Sequence, residues 1–92
     1  MSIIKWIALI TGSAQGIGRS IALRLARDGF DIALNDISSK REQLAAVADE
    51  VEKIGRKSLS VPADVTAEKE VKGMVQAVVK GLGGLDVVST FL

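Results

Sequence analysis

Histidine, cysteine and tyrosine are all absent from this chain, and each absence removes a class of chemistry. Without histidine there is no imidazole base for a nucleophilic triad. Without cysteine there is no thiolate nucleophile and no disulfide framework. Losing both removes the usual zinc ligand sets, so no metal site is expected. Without tyrosine there is no phenolic proton donor, and Asp, Glu, Lys, Ser and Thr are the proton carriers and nucleophiles that remain. An excess of one charge is missing too. Twelve Lys and Arg stand against eleven Asp and Glu, which leaves no electrostatic footprint for nucleic acid or an anionic membrane. Long apolar runs are likewise lacking, and nothing approaches the ~20 residues that span a bilayer. The short run Ile3-Ile4 and Trp6 to Ile10, interrupted by Lys5, has no basic region before it and no small-residue cleavage site after it. It therefore does not match a signal peptide. A reducing compartment is compatible with this composition, and a cytoplasmic location is expected.

What is present is a globular composition. Hydrophobic residues make up 48% and charged ones 25%, which implies a packed core and, at this length, a single domain over residues 1–92. Trp6 to Thr11 is a compact apolar run of the kind buried on both faces of a parallel sheet. From Ile17 to Asp28, Ile17, Ile21, Ala22, Leu25 and Ala26 recur at helical spacing, and Gly29 supplies the stop. Asp31 to Asn35 is a second strand candidate. Ser39 and Glu42 read as a capping box ahead of the stripe Leu44, Val47, Ala48, Val51 and Ile54, closed by Gly55. Ser58 to Pro62 is a third strand with its proline at the end. Thr66 is placed to cap a third helix with Glu68 and Glu70 in its first turn. That helix buries Val71, Met74, Val75, Val78, Val79 and Leu82 until Gly83-Gly84 breaks it. Leu85 to Val88 begins a fourth strand. Strands alternating with helices predict an α/β, doubly wound partial Rossmann fold, with parallel strands in the order 3-2-1-4 and three right-handed crossover helices. Helices one and two should share one sheet face and helix three the other.

Between the first strand and first helix lies Thr11-Gly-Ser-Ala-Gln-Gly-Ile-Gly18. With nine glycines in the chain, the spacing alone is weak evidence; the position between strand and helix gives it weight. Gly12 permits a sharp turn, and Gly16 removes a Cβ where a pyrophosphate would meet the backbone. Gly18 lets the helix pack closely. The free amides at the helix start and the helix dipole then favour an anion, and Ser13 offers a hydroxyl to a phosphate oxygen. A plain turn in which the glycines relieve strain is the alternative, and the context favours phosphate.

Asp36 follows strand two, 18 residues beyond Gly18. Its carboxylate can accept from both ribose hydroxyls of an adenosine. It can also be a turn residue, and the loop upstream favours ribose. Asp64 has two open readings, acceptor for an adenine amino group with Val65 flanking the ring, or cap of helix three. Lys40-Arg41-Glu42 reads as a solvated helix face, with contact to an adenosine 2′-phosphate as the alternative for the two bases.

These residues resemble the short-chain dehydrogenase/reductase family over residues 6–88. The TGxxxGIG element is matched from Thr11 to Gly18, including Gln15 and Ile17. Asp36 matches the acidic residue after strand two, Asp64-Val65 the adenine-side Asp-Val, and Gly83 to Val88 the run into strand four. Within the family, Ile7 to Ile32 is most similar to acetoin/diacetyl reductase-like members. The resemblance implies an NAD(P)-dependent oxidoreductase that interconverts carbonyls and alcohols. NADP-preferring relatives carry a basic residue at the position of Gln15 or Ile37, which this chain lacks. Asp36 would repel a 2′-phosphate, so NAD is the expected cofactor and NADP the alternative.

The chain departs from the family after strand four, where Ser89-Thr90-Phe91-Leu92 stands in place of an Asn-Asn-Ala-Gly type motif. The family's catalytic Ser, Tyr and Lys lie beyond that point. The resemblance therefore implies a truncated dinucleotide-binding domain with no catalytic residue of its own. Two rival readings remain. One is a non-catalytic module that self-associates through the open edge of strand four, where Val87, Val88, Phe91 and Leu92 lack cover. The other is a truncation artefact.

Overall fold

The computed structural model describes residues 6–89; Thr90, Phe91 and Leu92 lie outside the described residues. Trp6–Ile10 forms β1, Gly16–Arg27 α1, Phe30–Leu34 β2, Arg41–Ile54 α2, Ser58–Ser60 β3, Glu68–Leu82 α3 and Val87–Ser89 β4. The four strands pair in parallel in the order β3-β2-β1-β4. This is the expected doubly wound arrangement. The β1–β2 register runs from Trp6 opposite Phe30 to Ile10 opposite Leu34, and the Trp6 and Phe30 rings stack obliquely with centroids 6.4 Å apart.

Two apolar layers sandwich the sheet. Ala8, Ile10, Ile32 and Leu34 project to one face, where α1 brings Ala22, Leu23 and Ala26 and α2 brings Leu44, Val47 and Val51. Ile7, Leu9 and Ala33 project to the other, against Met74, Val78 and Leu82 of α3. The alternation of side chains along a strand divides one apolar run between two cores. Each fully buried aliphatic side chain contributes about 1.5–3 kcal/mol.

Several boundaries differ from expectation, each for a local reason. The ladder of β3 stops at Ser60 because the Asn35 side chain, not a backbone amide, donates to the carbonyls of Val61 (2.9 Å) and Ala63 (3.3 Å). Pro62 has no N–H to offer. β4 starts at Val87, not Leu85, since the Asp86 carboxylate takes the Ile7 amide at 2.8 Å while Leu85 packs against the α3-side core. The capping box of Ser39 and Glu42 does not form. Ser38–Lys40 is a 3₁₀ turn, and α2 starts after Lys40 without a side-chain cap. Thr66 does not cap α3 either; Ala67 occupies that position, and the Thr66 hydroxyl and amide both donate to Asp64 Oδ1. Two residues expected in buried stripes are exposed, Ile17 at 71% and Val79 at 46%. Ile17 lies in the first turn of α1, ahead of the buried stripe Ala22, Leu23 and Ala26, and Val79 follows buried Val78 by one helical step, 100° away.

Candidate functional site

The carboxyl ends of β1, β2 and β3 meet at one end of the sheet. In open α/β sheets this is where ligands bind. The glycine loop leaves β1 with Gly12 at φ 63° and enters α1 through Gly16 at φ 61°, a left-handed conformation that costs a side-chain-bearing residue about 1–2 kcal/mol. Nothing lies within 4 Å of where a Gly16 Cβ would stand, so the loop faces open space there. At Gly18 the opposite holds. A Cβ would sit 2.2 Å from the Gly12 carbonyl oxygen, so this glycine closes α1 onto the loop itself more than onto the strands. Of the three α-helices described, α1 alone has no acid in its first turn; α2 has Glu42, and α3 has Glu68 and Glu70. Its positive end is thus left for an outside anion.

Ser13 is placed differently from the expectation. It is fully buried. Its hydroxyl donates to the Asn35 carbonyl (3.2 Å) and accepts from the Asn35 amide (3.1 Å). The hydroxyl is therefore turned away from a phosphate and fastens the loop to the end of β2. Gln15 and Ile17 are exposed on the loop. Gln15 Oε1 accepts from Lys40 Nζ at 3.4 Å, which brings a basic group beside the loop.

Asp36 connects the loop to its neighbour. Its Oδ2 accepts from the Ala14 amide at 3.2 Å and its Oδ1 from the Ile37 amide at 2.9 Å, while the residue remains half-exposed. Beyond it opens a cavity of about 340 Å³. Ile37, Ser38 and Ser39 form one wall, Pro62, Ala63 and Asp64 another, and Glu70 of α3 completes the lining. A hydroxyl-bearing and partly apolar cleft with two carboxylates suits a heterocycle that carries an amino group. Asp64 is held below its usual carboxylate range by the Thr66 hydroxyl and then by the Thr66 amide. Val65 does not line the cavity; it packs on the α3-side core.

Of the expected site residues, Ile37 and Asp64 line the cavity, Asp36 ties the glycine loop to Ile37, and Gly12, Gly16 and Gly18 stay in the loop outside the lining; Ser13 and Val65 pack away from it. Sequence reasoning missed Ser38, Ser39 and Glu70 of the cavity lining, and Asn35 as the support behind it. Asn35 had a signal, as an amide ending an otherwise apolar run. The others become visible only when two loops face each other. The open Gly16, the acid-free helix start and the half-exposed Asp36 together fit an adenosine pyrophosphate. Among the described residues no group of acidic side chains is placed to hold a metal ion, and no helix is long and apolar enough to cross a membrane.

Comparison with known proteins agrees with this fold. The family model for short chain dehydrogenases matches residues 6–90. A short-chain dehydrogenase/reductase of Armillaria gallica is 53% identical over 81 residues, covering 88% of this chain and 31% of that protein. Carveol dehydrogenase from Mycobacterium avium, solved in complex with NAD, superposes with a TM-score of 0.84 at 36% identity, over 90% of this chain and 34% of its own. An alcohol dehydrogenase from Thermococcus sibiricus, complexed with 5-hydroxy-NADP, gives 0.84 at 34% identity, over 92% and 36%. The chain spans about a third of the length of the curated relatives it matches.

Proposed function

The chain belongs to the short-chain dehydrogenase family, and from that premise we propose that it holds the adenosine and pyrophosphate part of NAD. The observation that carries this reading is the position of Asp36, which accepts from the Ala14 amide of the glycine loop and from the amide of Ile37, the first residue of the cavity wall. In this reading the backbone at Gly12, Gln15, Gly16, Ile17 and Gly18 receives the pyrophosphate, and Ser13 keeps the loop in place from below. Asp36 accepts from the ribose hydroxyls. Ile37 flanks the adenine, Asp64 accepts from its amino group, and Val65 supports that wall.

NAD is favoured over NADP because a carboxylate at the ribose repels a 2′-phosphate. One observation pulls the other way, since Lys40 Nζ lies beside Gln15 and could neutralise such a phosphate. In the longer proteins of this family, the bound dinucleotide supplies or takes the hydride in carbonyl–alcohol interconversion. For this chain we propose the same reaction class for the whole protein. The 92-residue chain has no tyrosine and is expected to bind without turnover.

Calorimetric titration with NAD and NADP tests the reading. Asp36→Ala should weaken NAD by about 1.5–3 kcal/mol, the loss of a charged hydrogen-bond acceptor, and narrow the gap to NADP. Equal NAD affinity in both proteins would remove Asp36 from the site. A partner reading has its own observation. Val87 and Val88 of edge strand β4 are 39% and 53% exposed, which favours pairing of β4 with a second copy of the chain.

A further inference from the structure

Asn35 is 2% exposed and does not line the cavity, yet its hydrogen bonds reach β1, the glycine loop and the Pro62–Asp64 wall, and it stands two residues before Ile37 of the opposite wall. Its backbone amide donates to the Ile10 carbonyl at 3.0 Å and to Ser13 Oγ at 3.1 Å. Its carbonyl accepts from the Ser13 amide at 2.9 Å. The side-chain nitrogen spends its two hydrogens on Val61 and Ala63, the residues that flank Pro62. The next residue is Asp36.

A buried carboxamide is an expensive choice for the end of a strand. Leucine there would add apolar burial, and a polar group out of water costs free energy unless it is fully bonded. Here both side-chain bonds go to the wall formed by Pro62, Ala63 and Asp64. Backbone bonds from Val61 to Leu34 (2.8 Å) and from Ala63 to Asp36 (3.0 Å) run beside them. Those backbone bonds hold the amides of the wall, and Asn35 holds its carbonyls. An aspartate could not replace it, since carboxylate oxygens would face carbonyl oxygens.

We infer that Asn35 is a positioning residue that sets the spacing between the two walls of the cavity before any ligand arrives. The inference rests on the adenosine reading of that cavity. One wall is a loop and the other a single 3₁₀ turn, and a ligand that had to order them itself would lose affinity to the ordering cost. Removing the amide should therefore weaken ligands that occupy the cavity. Ligands that touch only the glycine loop should be spared, because the Ser13 bonds use the Asn35 backbone.

The test compares AMP with inorganic pyrophosphate, each titrated by NMR into the 92-residue chain, Asn35→Ala and Asn35→Ser. AMP affinity should fall about fivefold in Asn35→Ala, the equivalent of one ordinary hydrogen bond. Pyrophosphate affinity should stay within about twofold, and Asn35→Ser, which keeps one donor, should recover part of the AMP loss. If Asn35→Ala does not fold, Asn35→Ser carries the comparison by itself. Unchanged AMP affinity, or equal losses for both ligands, would overturn the inference while leaving the adenosine reading intact. Failure of the unaltered chain to bind AMP would overturn that reading and the inference with it.

Discussion

Gly16 and Gly18, four and six residues beyond Gly12, serve opposite needs. At Gly18 the obstacle to a side chain is protein backbone, 2.2 Å from a Cβ. Gly18→Ala should therefore destabilise the fold by about 1–3 kcal/mol, as overpacking does. At Gly16 no neighbour stands in the way, so Gly16→Ala should cost only the left-handed strain of about 1–2 kcal/mol but lose nucleotide affinity through its new Cβ. Urea unfolding paired with ADP-ribose titration separates the two effects. The opposite pattern, with Gly16→Ala binding normally, would make the loop purely structural. Asp64 offers a second test at this scale. A carboxyl whose folded value lies below its ordinary 3.8 contributes stability above that ordinary value, and the contribution disappears as pH falls through the depressed folded value. Thr66→Val removes the larger cause and should move the Asp64 midpoint upward, read from NMR titration of its side chain. An unmoved midpoint would assign the shift to something other than Thr66.

At the scale of elements, helix α3 shows how phase decides burial. Val78 and Val79 are chemically identical neighbours, yet Val78 is fully buried and Val79 largely exposed. Val78→Ala should destabilise by about 2 kcal/mol, from lost apolar contact and the cavity left behind. Val79→Ala should stay within about 0.5 kcal/mol. Thermal unfolding of the pair checks the phase, and similar losses would mean that α3 is rotated from its described position. Helices α1 and α2 are joined across their exposed sides by a two-pronged ion pair from Arg19 to Glu50. Both side chains are more than a third exposed, so solvent screening keeps this contribution below about 1 kcal/mol. The helices are held together mainly by the apolar layer beneath, where Ala22 and Ala26 meet Val47 and Val51.

For the molecule as a whole, the sheet has well-covered central strands and thin edges. β1 and β2 are five residues long and almost wholly buried, whereas β3 and β4 have three residues each and stay partly open. An apolar edge with unpaired backbone groups is a template for another strand. The 92-residue chain is accordingly expected to self-associate in a concentration-dependent way, and Val88→Lys should return it to monomer in sedimentation velocity. A chain that is monomeric at every concentration would dismiss the β4 edge as an interface. Phe91 and Leu92, expected to share that exposure, lie outside the described residues.

The alternating apolar runs and glycine stops determined the order of elements, the parallel sheet and the division of helices between its faces. Those features follow from periodicity and from the short connections between elements. The glycine spacing likewise announced the left-handed turns at Gly12 and Gly16, because a positive φ depends on the local residue. Tertiary structure alone decided the direction of the Ser13 hydroxyl, the loss of the Ser39–Glu42 cap and the role of Thr66. In each case a short polar side chain had several backbone partners within reach, and the packed loops selected one. It also decided the cavity, since Ser38 and Glu70 lie 32 positions apart in sequence and line one space only after two strands pair. Asn35 shows where the two kinds of information meet: its chemistry is written in the sequence, but the carbonyls that use it are assembled only by folding.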